Sequence, residues 1–302
     1  MKSKFLIFVL FVSFPFSCFA QGRDLLGGLL EQTGIVSKKR FDAFVDAGSK
    51  AMDASEGFTE EQEYYLGRSV AAMILGKYKP YANRDANRYV SKVGAYLSAL
   101  SDRPNTFNGY HFLVLDSNQI NAMATPGGFI FITKGILKLM PNEEALAAVI
   151  AHEIGHVVKG HGVNAISQAN MTEAFTILGN EYASESSSYQ NITQLTNAFG
   201  KSVDNIVDTL LVSGYSRSQE YECDEYALKL LAKAGYDTKG LSTMLGKLST
   251  YKGSDATGLF STHPDAGDRI KNVNSKIPKS KASEEAIQLR ADRFTQVVKT
   301  IS

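Results

Sequence analysis

The stretch AAVIAHEIGHVVKGH, residues 147–161, carries His152, Glu153, His156 and His161. On a helix a separation of four residues is about 400°, so His152 and His156 project from one face, a turn apart. Two imidazoles so placed can reach one ion at ~2.0–2.1 Å each. Glu153 stands about 100° around from His152, within reach of a metal-held water but not placed as a third ligand. Gly155 leaves the helix surface open beside them. Ala147, Ala148, Val149, Ile150 and Ala151 precede His152, so the helix is expected to be buried. Bare imidazoles and a carboxylate in such a place need a partner, and a metal ion is the simplest one.

A zinc ion that does chemistry needs a third protein ligand and an open fourth position. His161 misses the extended helical pattern by one residue: that pattern requires histidine at 162 and glycine at 159, and this chain has Gly162 and Lys159. The segment SRSQEYECDEYALKLLAKAG, residues 216–235, offers a second source. Its buried stripe should be Ala227, Leu231 and Ala234, and counting back brings Cys223 or Asp224, then Glu220, onto the same face. Glu220 is the better ligand. Asp224, one turn on, is placed to accept a hydrogen bond from the outer nitrogen of a ligand histidine. Glu222 is expected outside with Tyr226 and Lys229. The third source is His263 in STHPDAGDRI, where a His-Pro pair before a helix can hold an imidazole in a fixed pose.

The elements that must position these groups are mostly helical. Thr59 and Gln62 have capping-box spacing and open a helix to about Tyr78. A second helix over about 84–100 carries Tyr89, Val90, Val93, Tyr96, Leu97 and Leu100 at helical spacing. YHFLVLDS (110–117) reads as a strand. Asn121–Thr125 reads as an extended piece, Pro126-Gly127-Gly128 as a turn, and Phe129–Thr133 as a strand apolar on both faces, hence buried on both. Asn142 can cap the histidine helix, Glu143 and Glu144 suit its positive end, and Gly160 can stop it. Residues 180–191 form the most loop-like stretch of the polar 180–200 segment. Further helices are expected at about 201–213, 217–234 and 238–250. Ser283 caps a last one whose stripe is Ile287, Ala291, Phe294, Val298 and Ile301.

The chain has 302 residues, 44% hydrophobic and 21% charged, an ordinary globular balance. Residues 1–20 read as an export signal: Lys2 and Lys4, an apolar run of about a dozen that is too short to span a bilayer, then Cys18 and Ala20 before a cut at Gln21. Losing them leaves a net charge near −1, which argues against nucleic acid as a partner. It also leaves Cys223 as the lone thiol, so no internal disulfide is expected. Lipidation at Cys18 is the alternative, and only then would the chain sit on a membrane surface.

HEIGH, YSRSQEYECD and STHPDAGDRI, preceded by NAMATPGGFIFITKGIL, resemble in type and order the motifs of one zinc metallopeptidase family. It contains HtpX, the CAAX prenyl proteases and the periplasmic proteases BepA and LoiP. The resemblance runs from about Thr59 to Asn272. It implies one zinc per chain held by His152, His156 and Glu220, with Glu153 as catalytic base and Asp224 in support. It also implies that the His263 loop lies close to the metal. In BepA-like members that loop can place its histidine on zinc, which carried to His263 suggests a latent resting state. Cys223 stands where the family usually has alanine. The membrane spans of HtpX and the helical-repeat domain of BepA have no counterpart here, so a compact LoiP-like protease is the nearest form.

The expected fold is therefore α+β and mostly helical: an HExxH zincin-type, gluzincin-like core with a small β-sheet packed on the active-site helices. The expected segments are a signal at 1–20, a helical wrap at 21–58, the peptidase domain at 59–275 and a docked amphipathic helix at 276–302. The expected activity is hydrolysis of peptide bonds in unfolded or misfolded envelope proteins, outer-membrane proteins among them, in the periplasm or, lipid-anchored through Cys18, at the outer membrane. His263 or Arg217 would steady the oxyanion once the loop moves, with Arg217 also near the carboxylates. Asn121, Ala122, Met123 and Ala124 would pair with a substrate strand by backbone bonds. The competing reading is a zinc-bound, proteolytically silent binding module for envelope proteins.

Overall fold

The computed structural model describes residues 60–165, 206–251, 263, 266–278 and 282–301. The expected export signal, the 21–58 wrap, the Thr59 cap and the 180–200 segment lie outside them. Residues Leu66–Ile166 and Val203–Ser302 form one unit, to which everything below belongs apart from the start of the first helix. Of the other, Met1–Tyr65 with Ser167–Ser202, the described part is the start of the first helix.

Helix α1 covers Glu60–Lys77 and α2 covers Arg84–Ala99. Asn83 caps α2 by accepting the Asp85 and Ala86 N–H groups, and of the stripe read from the sequence Tyr89, Val90, Val93 and Leu97 turn inward while Tyr96 is exposed, its hydroxyl donating to the Ala234 carbonyl. Three strands follow: β1 His111–Leu115, β2 Ala122–Thr125 and β3 Phe129–Thr133. Their order is β1-β3-β2, with β1 parallel and β2 antiparallel to β3. The central position of β3 explains its two apolar faces, since Ile130, Phe131 and Ile132 are all buried. The β2–β3 turn runs through Pro126–Gly128, where Gly127 takes φ 71°, a left-handed value that favours glycine.

After β3 come α3 Lys134–Leu139, α4 Glu143–Val158 and the short α5 His161–Asn164. The later helices are α6 Arg217–Lys233, α7 Lys239–Thr250, α8 Ala266–Lys276 and α9 Glu284–Val298. A π-helical turn at Thr209–Ser213 stands where the sequence led us to expect the end of a regular helix. The unit is thus mostly helical with a small sheet, as expected.

Helix α4 is the axis of the unit: every residue from Glu143 to Val157 is buried. Asn142 caps it through the Ala145 N–H, and Gly160, at φ 66°, turns the chain at its end. Around it pack α6, α7, α2, α9 and β2. Helix α7 approaches by backbone: a Cβ on Gly240 would lie 2.4 Å from the Glu144 carbonyl oxygen. Gly240→Ala must therefore push α7 off α4. We expect a loss of ~1–3 kcal/mol, seen as a lower urea midpoint with an unchanged slope.

Two expectations change here. Glu143 and Glu144 were assigned to the helix dipole alone, but both are buried and clipped by side chains from elsewhere. Tyr89 and Tyr236 donate to Glu143 at 2.5 and 2.8 Å, and Arg293 of α9 pairs with it. Arg290 of α9 donates to Glu144 at 2.5 Å, and the Asp237 N–H at 2.7 Å. Helix α9 is thus held by ion pairs as well as by Phe294 and Ile301. Tyr226 was placed outside with Glu222 and Lys229, yet it is buried, because its hydroxyl accepts the Asp102 N–H at 2.8 Å from the segment after α2.

Candidate metal centre and active site

Helix α6 reaches α4 at Gly155, where an added Cβ would sit 3.3 Å from Cys223 Sγ and 3.4 Å from Cys223 Cα. That closeness brings Glu220 and Asp224 under the histidines. His152 Nε2 lies 3.2 Å from His156 Nε2 and 3.4 Å from Glu220 Oε2, and His156 Nε2 lies 3.5 Å from Glu220 Oε1. Donors around one zinc at ~2.0–2.2 Å stand about 3.3–3.6 Å apart, so groups gathered this closely are near enough to share an ion, with His152 facing one Glu220 oxygen and His156 the other.

The outer nitrogens support the same fit. His152 Nδ1 faces Asp224 Oδ1 at 3.1 Å, and His156 Nδ1 faces His161 Nδ1 at 3.0 Å. With the ring protons used outward, both Nε2 lone pairs turn toward one point, an arrangement that suits a bound cation. Burial would lower the His152 pKa, but the Glu220 and Asp224 carboxylates raise it to about 9. The charge that would hold a proton there also attracts a metal. Burial keeps His156 well below the ordinary imidazole value.

Glu153 is buried, burial pushes its carboxyl up, and its Oε2 has no hydrogen-bond partner among the described residues. His263 reaches in between the carboxylates: Nδ1 is 2.8 Å from Glu220 Oε1 and Nε2 is 3.8 Å from Glu153 Oε1. His152, His156, Glu220 and His263 together form a buried donor set that can hold a metal ion.

Arg269 was not singled out from the sequence. It is 2% exposed and bridges both carboxylates of α6, with Nη1 2.6 Å from Glu220 Oε2, Nε donating to Asp224 Oδ2 at 2.8 Å and Nη2 to Asp224 Oδ1 at 2.7 Å. Burial alone would raise the Glu220 pKa, but the charges of His263, Arg269 and His152 take it well below the carboxylate range. A signal for Arg269 was present. Ala266 and Val273 mark the buried stripe of α8, and Arg269 falls on it. Arg217, expected beside the carboxylates, is exposed in the first turn of α6, and Arg269 is an arginine that meets both of them. Tyr215 was also missed: its ring stacks on His156 with centroids 4.0 Å apart, and its buried hydroxyl has no hydrogen-bond partner among the described residues.

Asn121, Ala122, Met123 and Ala124 are all buried, and β2 is an edge strand of the sheet that packs on α4.

Convergence of this kind, two histidines of α4 and a glutamate of α6 about a buried carboxylate, points to the class of metal-dependent peptidases. The chain belongs to Peptidase family M48, which matches residues 84–277, and it is a metalloendopeptidase. It is similar to the metalloprotease LoiP of Escherichia coli (27% identity over 193 residues, 63% of this chain and 71% of that one). It is also similar to the mitochondrial metalloendopeptidase OMA1 of Schizosaccharomyces pombe (28% over 258 residues, 85% and 69%). The beta-barrel assembly-enhancing protease of Escherichia coli matches at 24% over 243 residues, 78% of this chain and 48% of that relative. No described helix is long and apolar enough to cross a membrane.

Proposed function

We propose that the protein is a zinc endopeptidase of the cell envelope that cuts unfolded or misfolded proteins, and that it rests in a latent state. The observation that carries the catalytic assignment is the gathering of His152 Nε2, His156 Nε2 and the Glu220 carboxylate within 3.2–3.5 Å of one another, beside a buried Glu153 with an oxygen that has no hydrogen-bond partner among the described residues. In this reading His152, His156 and Glu220 hold the zinc in a gluzincin-like core. Bound zinc supplies a Lewis acid for the scissile carbonyl and lowers the pKa of its water. Glu153 takes a proton from the attacking water and delivers it to the leaving amine, a transfer favoured by a carboxyl whose pKa burial has raised. Asp224 fixes the His152 ring, and Arg269 fixes Asp224 and Glu220.

Latency rests on His263. Its nitrogen beside Glu220 completes a four-donor set, which fills the position that a substrate carbonyl needs. Moving the loop frees that position for the substrate carbonyl. The segment from Asn121 to Ala124, which leads into and forms most of edge strand β2, is uncovered by the same movement and receives the substrate by backbone pairing, which reads extended shape more than sequence and suits unfolded clients. Beta-barrel outer-membrane proteins are the first class to try, from the name of one relative. Residues 1–20 export the chain, a reading that rests on Lys2, Lys4, the short apolar run after them and the small residues before Gln21.

The experiment uses the zinc-loaded protein and an unfolded protein substrate. Cleavage is expected to be lost with a chelator and restored by zinc. Zinc at a hundred times its Kd should also add about 2.7 kcal/mol of stability, read as a higher Tm. His263→Ala should cleave faster than the parent. A His263→Ala protein that binds zinc, folds and cleaves nothing would favour the second reading, a silent binding module, which the same four-donor set supports.

A further inference from the structure

His156 uses both ring nitrogens. Nε2 faces the metal cluster, and Nδ1 faces His161 Nδ1 at 3.0 Å. Beyond it, His161 Nε2 faces Glu222 Oε2 at 3.4 Å, and Lys159 Nζ holds Glu222 Oε1 at 3.0 Å. Both imidazoles are buried, at 1% and 3% exposure. The turn that makes this possible is Gly160: its positive φ reverses the chain after α4, and α5 begins at His161 itself. The pair is five residues apart, a spacing that no continuous helix would place face to face.

We propose that His161 is a positioning residue that locks His156 in its metal-binding form. This rests on the assignment of His152, His156 and Glu220 as ligands. A neutral imidazole carries one ring proton. If His156 offers the Nε2 lone pair to zinc, its proton is on Nδ1 and must be donated. His161 Nδ1 is then the acceptor, and the His161 proton sits on Nε2, directed at Glu222. The opposite polarity puts the His156 proton on Nε2, at the centre of the donor set, where zinc cannot bind. Glu222 selects the productive polarity because it can only accept, and Lys159 keeps it ionised and in place. Cys223 Sγ, 3.4 Å from His161 Nδ1, closes the pocket around that acceptor.

The two histidines thus receive different partners. His152 donates to a carboxylate, Asp224, and His156 to a neutral ring. A second carboxylate would add negative charge next to the metal and weaken it as a Lewis acid. A neutral acceptor orients the ring without that loss.

The test compares the full chain with His161→Leu and His161→Gln. The readouts are the zinc dissociation constant by chelator competition and the visible spectrum of the cobalt(II) form. His161→Leu removes the acceptor and is expected to weaken zinc about 10–100-fold and to shift the cobalt bands. His161→Gln keeps an acceptor oxygen and is expected to recover most of the affinity and the parent spectrum. Should His161→Leu not fold, His161→Ala takes its place. Equal weakening by leucine and glutamine, or by neither, would overturn the proposal by making His161 a packing residue. Two zinc ions per chain, the second lost in Cys223→Ser, would overturn it by making His161 and Cys223 ligands. His156→Ala separates the two levels. If it keeps the parent zinc affinity, the ligand assignment itself has failed; if it loses zinc while His161→Leu does not, only the role of His161 has failed.

Discussion

Glu153→Gln is expected to bind zinc, fold as the parent does and lose peptide cleavage by about 10²–10⁴-fold, the contribution of a positioned acid–base group. In barrier terms that is about 3–5.5 kcal/mol. The substitution keeps shape and volume, so substrate binding should change little and the loss should fall on kcat. Stability should move the other way. Glu153 is buried, and burial has raised its pKa, so its folded form holds a proton more tightly than its unfolded form. The stability it contributes is therefore complete at acid pH and is lost as the pH rises through the folded pKa. Glutamine carries no such loss. In the metal-free protein, the Tm of Glu153→Gln should exceed that of the parent by a margin that widens from acid to neutral pH. Native-like cleavage by this variant would remove Glu153 from the mechanism. A margin that narrowed with pH would mean that the carboxylate is paired in solution.

How much of this was legible in the sequence follows from the range of the forces involved. His152, Glu153 and His156 lie within one helix turn, so local geometry alone placed them on one surface. Glu220 and Asp224 were placed by the apolar stripe of α6, which tells inward from outward without knowledge of what lies inward. The strands were legible because β3 is apolar on both faces and a Pro-Gly-Gly turn precedes it. What escaped was pairwise and long-range. Arg269 sits on a buried stripe, but a charge on such a stripe shows its meaning only when the opposite carboxylates are in view. Glu143 and Glu144 have a local use at a helix start, which hid the arginines that α9 brings from about 150 positions away. His161 lies past a left-handed glycine, and a helical count cannot follow the chain through that reversal.

Arg269→Met tests the part of the site that the sequence concealed. The guanidinium is buried between two buried carboxylates and touches both. Removing it leaves Glu220 and Asp224 with their negative charge and without their cation, in a place from which water is largely excluded. Breaking a buried pair in this way costs about 3–5 kcal/mol, so the metal-free variant should unfold at a much lower urea concentration or not fold at all. Zinc should return part of that loss, because the ion adds a positive charge beside Glu220. The destabilisation measured with zinc should thus be smaller than the one measured without. Arg269→Lys should not rescue it: one ammonium cannot offer the forked donors that satisfy Asp224 through Nε and Nη2 while Nη1 meets Glu220. Adding Asp224→Asn to Arg269→Met should recover stability, since it removes one of the two stranded charges, and the two changes should be far from additive. Equal losses with and without zinc, and additivity in the double variant, would mean that Arg269 supports the packing of α8 rather than the charge of the metal centre.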